Sequence, residues 1–193
     1  MAVDILTHSR LRTLCLLADD IGHSDSDLAS KIAFETGNFS KKVIGPLRDA
    51  GYVTYSPPLR FGKPKRTQEL EDAGSETFKL PQRSGRPRKM NYINYENERI
   101  LPLIIKKLTF ESKRIDLGLL EGIERIKKLT RELNEAKNQN EPGTQIEKKQ
   151  LDLKKARDKS DMMKRDINLY SKAHKEFSEK LQMLQISDDD GPL

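Results

Sequence analysis

Over residues 101–136 and again over 146–184, mostly apolar side chains recur alternately every four and every three residues, and this rhythm restricts what the chain can fold into. Leu101, Ile105, Leu108, Ser112, Ile115, Leu119, Gly122, Ile126, Leu129, Leu133 and Ala136 form one run. Ile146, Lys149, Leu153, Ala156, Ser160, Met163, Ile167, Tyr170, His174, Phe177, Leu181 and Leu184 form a second. A 3.5-residue period is that of left-handed coiled-coil helices, and the stripe must be buried against another helix. Pro142-Gly143 separates the runs and predicts a break between two arms. Two burial schemes follow. The arms fold back on one another as an antiparallel hairpin, or matching arms of two chains wrap together as a homodimer; a four-helix assembly accommodates both. The dimerisation set read from the stripe is Ile115, Leu119, Ile126, Leu129, Leu133, Leu153, Met163, Ile167, Tyr170, Phe177, Leu181 and Leu184. Lys149, Ser160 and His174 stand at core-like positions and weaken the seam locally.

With 34% of its 193 residues charged and 35% hydrophobic, the chain is too polar for one large spherical core. Cys15 is its one cysteine, so no internal disulfide forms and a reducing, cytoplasmic location is expected. The longest apolar run, residues 100–105, is far too short to cross a bilayer, and the first residues, with Asp4 and no basic start, do not read as a signal peptide. The histidines His8, His23 and His174 are scattered, and no zinc spacing, phosphate-cradling loop or nucleophile elbow appears. We therefore expect no enzyme, cofactor, metal or small-molecule ligand. Cys15, within Leu14-Cys15-Leu16-Leu17, reads as a small buried hydrophobe.

Ahead of the heptads the texture differs. Leu6, Leu11, Leu14, Leu17 and Ile21 suit one face of a first helix, with Gly22 as its stop. Ser24, Asp25 and Ser26 offer caps for a second helix carrying Leu28, Ile32 and Ala33. Thr36-Gly37-Asn38 reads as a turn with Gly37 at positive φ. A third helix follows, with Phe39, Val43, Ile44 and Leu47 inward and Gly45-Pro46 inside it, where proline predicts a kink. Tyr52–Tyr55 and residues 90–94 read as strands around an interrupted, proline-rich stretch, residues 56–89. The expected fold class is mainly α with a small β wing (α+β), an N-terminal winged helix-turn-helix followed by long C-terminal coiled-coil helices.

Asp27-Leu28-Ala29-Ser30-Lys31-Ile32, Gly37-Asn38-Phe39-Ser40 and Leu47-Arg48-Asp49-Ala50-Gly51-Tyr52-Val53 resemble winged helix-turn-helix transcriptional regulators of the MarR/ArsR type over roughly residues 5–95. Gly85-Arg86-Pro87-Arg88-Lys89 leading into Tyr92-Ile93 resembles the return limb of their wing. The resemblance implies a third helix that reads DNA. On physics alone, that helix offers Asn38 and Ser40 for base edges and Lys41, Lys42 and Arg48 for phosphates. The wing adds Arg60, Lys63, Lys65 and Arg66 at its start and Arg83, Arg86, Arg88 and Lys89 at its end. Gly85-Arg86-Pro87 also resembles the core of an AT-hook, with Ser84 where a preceding arginine would complete it; narrow minor grooves favour inserted arginine.

Three segments are expected: residues 1–95 as a winged-helix DNA-binding domain with its extended basic wing at 56–89, residues 96–186 as a helical dimerisation domain, and residues 187–193 as a disordered acidic tail. The function expected is that of a dimeric, sequence-specific regulator of transcription binding double-stranded DNA, with no membrane partner. The alternative is an architectural adaptor whose winged helix and coiled coil dock proteins.

Overall fold

The computed structural model describes residues 5–55 and 89–189. It is mainly helical, with one small antiparallel sheet and two long helices in the second half. Two compact units are present. One combines Met1–Lys107 with Lys172–Leu193, and the other is Leu108–Ser171. The boundary expected at residue 95 therefore does not coincide with either unit: the start of the first long helix and the end of the second both belong with the N-terminal segment. Composition marks where texture changes, whereas units follow burial, and Ile100, Leu101, Ile104, Ala173 and Phe177 are all buried within the first.

In that unit, α1 is His8–Leu17, α2 is Asp25–Lys31, and α3 is Thr36–Phe39. The chain continues through a π-helical stretch, Ser40–Ile44, into α4, Gly45–Asp49. Leu11, Leu14, Leu17, Leu28, Phe39, Ile44 and Leu47 are fully buried and form its core. Ser24 caps α2: its Oγ accepts from the Asp27 N–H at 3.3 Å and donates to the Asp27 carboxylate at 2.6 Å. The first of these bonds satisfies an N–H that the helix start leaves open.

Two local expectations are corrected. The corner after α2 is made upstream of Thr36-Gly37-Asn38, by Ala33 at φ 55°, and Thr36 begins α3. Ala33 is accordingly exposed rather than inward. The physical reason is that the Phe34 N–H bonds the Ala29 carbonyl at 2.8 Å, closing α2 early. Nor does Pro46 simply kink a continuous helix. The preceding residues widen into the π-helical stretch, with the Gly45 N–H reaching the Ser40 carbonyl five residues back. Pro46 has no N–H for the Lys42 carbonyl, and Arg10 of α1 replaces it, donating from Nε at 3.2 Å and Nη2 at 3.0 Å.

Strands β1 (Val53–Thr54) and β2 (Tyr92–Ile93) pair antiparallel, Val53 opposite Ile93 and Thr54 opposite Tyr92. His23, between α1 and α2, adds a bridge to Asn91 on the same return limb. Gly22 just before it has φ 73°, and any Cβ there would overlap the ring of Tyr92.

The long helices are α5, Ile100–Asn138, and α6, Gly143–Asp189. Helix α6 runs into the segment expected to be a disordered tail; residues 190–193 lie outside the described residues. Once nucleated, a helix extends by one hydrogen bond per residue fixed, so acidic composition alone does not stop it at residue 187.

Within the second unit the two arms pair with each other. Asn140 at φ 52° makes the corner, the Glu141 N–H bonds the Ala136 carbonyl at 3.0 Å, and the Pro142 carbonyl accepts from the Gln145 N–H at 2.9 Å. Lys149 bonds Glu141 at 2.8 Å, so this core-like lysine closes the turn instead of lying unpaired in the seam. Gly118 lies against Met163, an antiparallel register about the turn. Of the dimerisation set in this unit, Leu133, Leu153 and Tyr170 are buried, and Ile115, Leu119, Ile126, Leu129, Met163 and Ile167 are half-buried, all within the single chain. In the first unit Phe177 and Leu184 are buried and Leu181 half-buried. Around Gly122, Ala156 and Ser160 the small side chains leave a cavity of about 240 Å³ in the seam.

Candidate nucleic-acid interface

The third helical segment buries one face and exposes another. Phe39, Val43, Ile44 and Leu47 are buried, while Ser40, Lys41 and Lys42 are exposed. The π-helical stretch carries all three exposed residues, so the widened turn that Pro46 requires is also what presents them. Asn38 is half-buried, and its amide donates to Glu35 at 2.7 Å. It therefore neither caps α3 nor projects freely; Glu35 is the residue at the cap.

Arg48 departs from the exposed role that its sequence position suggested. It is half-buried and stacks on Tyr55, its guanidinium carbon 4.0 Å from the ring centroid. Its Nε and Nη2 are buried without a hydrogen-bond partner among the described residues. Lys89 lies over the same ring at 5.0 Å. One half-exposed aromatic thus gathers two of the expected cations where the segment 56–88 leaves and returns. Arg60, Lys63, Lys65, Arg66, Arg83, Arg86 and Arg88 lie outside the described residues. In the sequence, the one signal for Tyr55 is its place at the end of a strand whose partner limb begins beside Lys89.

Two polar clusters tie separate segments of the first unit together. In the first, His23 Nε2 lies 3.1–3.2 Å from both oxygens of Asp19, and Lys31 approaches its Nδ1 at 3.4 Å. Asn91, fully buried, donates to the His23 carbonyl at 3.0 Å and to Asp25 at 2.7 Å. Burial pushes the Asp19 carboxyl up, but the hydrogen bonds from His23 and the Ile21 N–H outweigh it and hold the group below its ordinary 3.8. A carboxyl with a lowered folded-state value contributes stability that is complete above the unfolded value and lost as pH falls through the folded one. We expect the melting temperature to fall below about pH 4, and Asp19→Asn to flatten that acid limb; an unchanged limb in the variant would show that Asp19 does not supply it.

The second cluster joins positions remote in sequence. Lys180 Nζ donates to Asp20 Oδ2 at 2.6 Å, to the Ala18 carbonyl at 2.6 Å and to the Tyr95 hydroxyl at 2.7 Å. The Tyr95 hydroxyl in turn donates to Asp20 Oδ1 at 2.9 Å. Burial, then the Asp20 carboxylate, push the Tyr95 phenol well above its ordinary value, so it stays a donor. Burial holds the Lys180 ammonium below the usual lysine range, against the opposing pull of Asp20. Nothing in a heptad reading singles out Lys180 from the other lysines of its helix.

Among the described residues no group of three His, Cys, Asp or Glu is placed to hold a metal ion, and no helix is long and apolar enough to cross a membrane. No protein-family model, curated protein or solved structure matches the chain.

Proposed function

We propose that the N-terminal unit is a winged helix and that the chain is a dimeric, DNA-binding regulator of transcription. The observation that carries this reading is the exposed run Ser40-Lys41-Lys42 on a helix whose opposite face is core. Its short polar group and two cations suit base edges and phosphates in a major groove. The order of elements supports it: two helices, the interrupted third, and an antiparallel strand pair that brackets the basic segment 56–89. So does the isolated antiparallel bridge from His23 to Asn91, which ties the segment between α1 and α2 to the limb that leads into β2. In this reading α3 through α4 enters the major groove, and the cations of residues 60–89 follow backbone and minor groove. The long helices would carry the contact between copies.

The test is fluorescence anisotropy with labelled duplexes of random and selected sequence, titrated at several salt concentrations. Phosphate contacts make log K fall with log salt, by about 0.9 per contact. Lys41→Ala with Lys42→Ala is expected to weaken binding on every sequence alike and to reduce that slope by about 2. Absence of duplex binding at low salt would overturn the regulator, and a protein complex that survives nuclease would favour an adaptor.

A further inference from the structure

Helix α5 carries a second apolar line besides its seam. Phe110, Leu117 and Leu120 are 60%, 64% and 63% exposed. With Lys113 and Glu124 between and beyond them, they repeat at steps of three and four and share one strip of the helix surface. We infer that this strip is a self-association surface, and that a second copy of the chain covers it in antiparallel orientation. The inference gives the dimer of the preceding reading its location and rests on that reading only there.

The charges select the occupant and its direction. Antiparallel pairing about a two-fold axis between residues 118 and 119 sets Leu117 against the partner's Leu120, and the converse, at the centre. The same register sets Lys113 against the partner's Glu124 and brings Arg114 alongside the partner's Glu121. By symmetry each of these contacts occurs twice. Parallel, in-register pairing would instead oppose Lys113 to its own copy and Glu124 to its own copy, like charge to like. Glu124 bonds Lys127 at 2.7 Å in the single chain, with both side chains well exposed, so this pair can exchange partners at little cost. The strip from Phe110 to Lys127 is about 26 Å long, a small interface for which dissociation in about the micromolar range is expected.

Sedimentation of the full chain across about 1–200 µM tests this, since that range brackets the expected dissociation constant. A monomer–dimer equilibrium is expected. Leu117→Asp with Leu120→Asp should abolish it, with the helical circular dichroism retained because both residues are exposed. Lys113→Glu alone should weaken the dimer about fivefold or more, and Lys113→Glu with Glu124→Lys should restore it. Orientation is read by oxidation: Phe110→Cys with Lys127→Cys should cross-link between chains and Phe110→Cys alone should not. A chain that stays monomeric throughout, a dimer indifferent to the leucine pair, or cross-linking by Phe110→Cys alone would each overturn the proposal. Duplex binding by the monomeric variant is measured separately, so failure here and failure of DNA reading are distinguishable.

Discussion

Replacing Lys180 with methionine is expected to lower the unfolding free energy by about 3–5 kcal/mol. The aliphatic stem is preserved, so the loss comes from the charge. Side-chain exposures of 13% for Lys180 and 16% for Asp20 leave little water to solvate the carboxylate once its cation has gone. The Ala18 carbonyl loses a donor, and the Tyr95 hydroxyl is left as Asp20's remaining partner in the cluster. A buried charge without its partner is far more costly than the intact pair is beneficial. Adding Asp20→Asn should therefore recover part of the loss, as expected for residues of one network. Denaturant titration of the single and double variants decides the matter. A single variant within about 0.5 kcal/mol of the parent, the range typical of inconsequential surface changes, would show that the cluster contributes little.

A similarly large loss, about 2–5 kcal/mol, is expected for Gly22→Ala, from two separable causes. At φ 73° an alanine is strained wherever space allows it, and here space does not, because the new methyl group overlaps the Tyr92 ring. Truncating Tyr92 to alanine in the same chain removes the collision and leaves the backbone strain. The Gly22→Ala loss should then shrink to about 1–3 kcal/mol. Equal losses in both backgrounds would locate the whole effect in the backbone.

The parts of this fold legible in the sequence are those set by local chemistry or by a long period. Ser24 reads as a cap because its hydroxyl can serve N–H groups of the turn that follows. The heptads and Pro142-Gly143 read as two arms and a break because the stripe has one way to be covered within each chain. The exposed Ser40-Lys41-Lys42 follows from the burial of its neighbours. Contacts that depend on where remote segments meet were not legible. Arg10 serves a carbonyl stripped of its donor by Pro46, and Lys180 serves Asp20, yet neither arginine nor lysine differs locally from a solvated one. Asn38 shows the opposite failure. Its residue type suits a base edge, but a nearby Glu35 holds its amide.

The discontinuous make-up of the first unit has a consequence for biosynthesis. Asp20 and Tyr95 leave the ribosome long before Lys180, Ala173 and Phe177, because the whole of residues 108–171 is translated in between. At elongation speeds of about 5–20 residues per second, the nascent front segment waits on the order of 3–13 s for the side chains that complete it. Until then its carboxylate has no ammonium to meet. Native closure of the Asp20 cluster therefore has to await those residues, and truncation before residue 172 should yield a product that chaperones and proteases treat as unfinished.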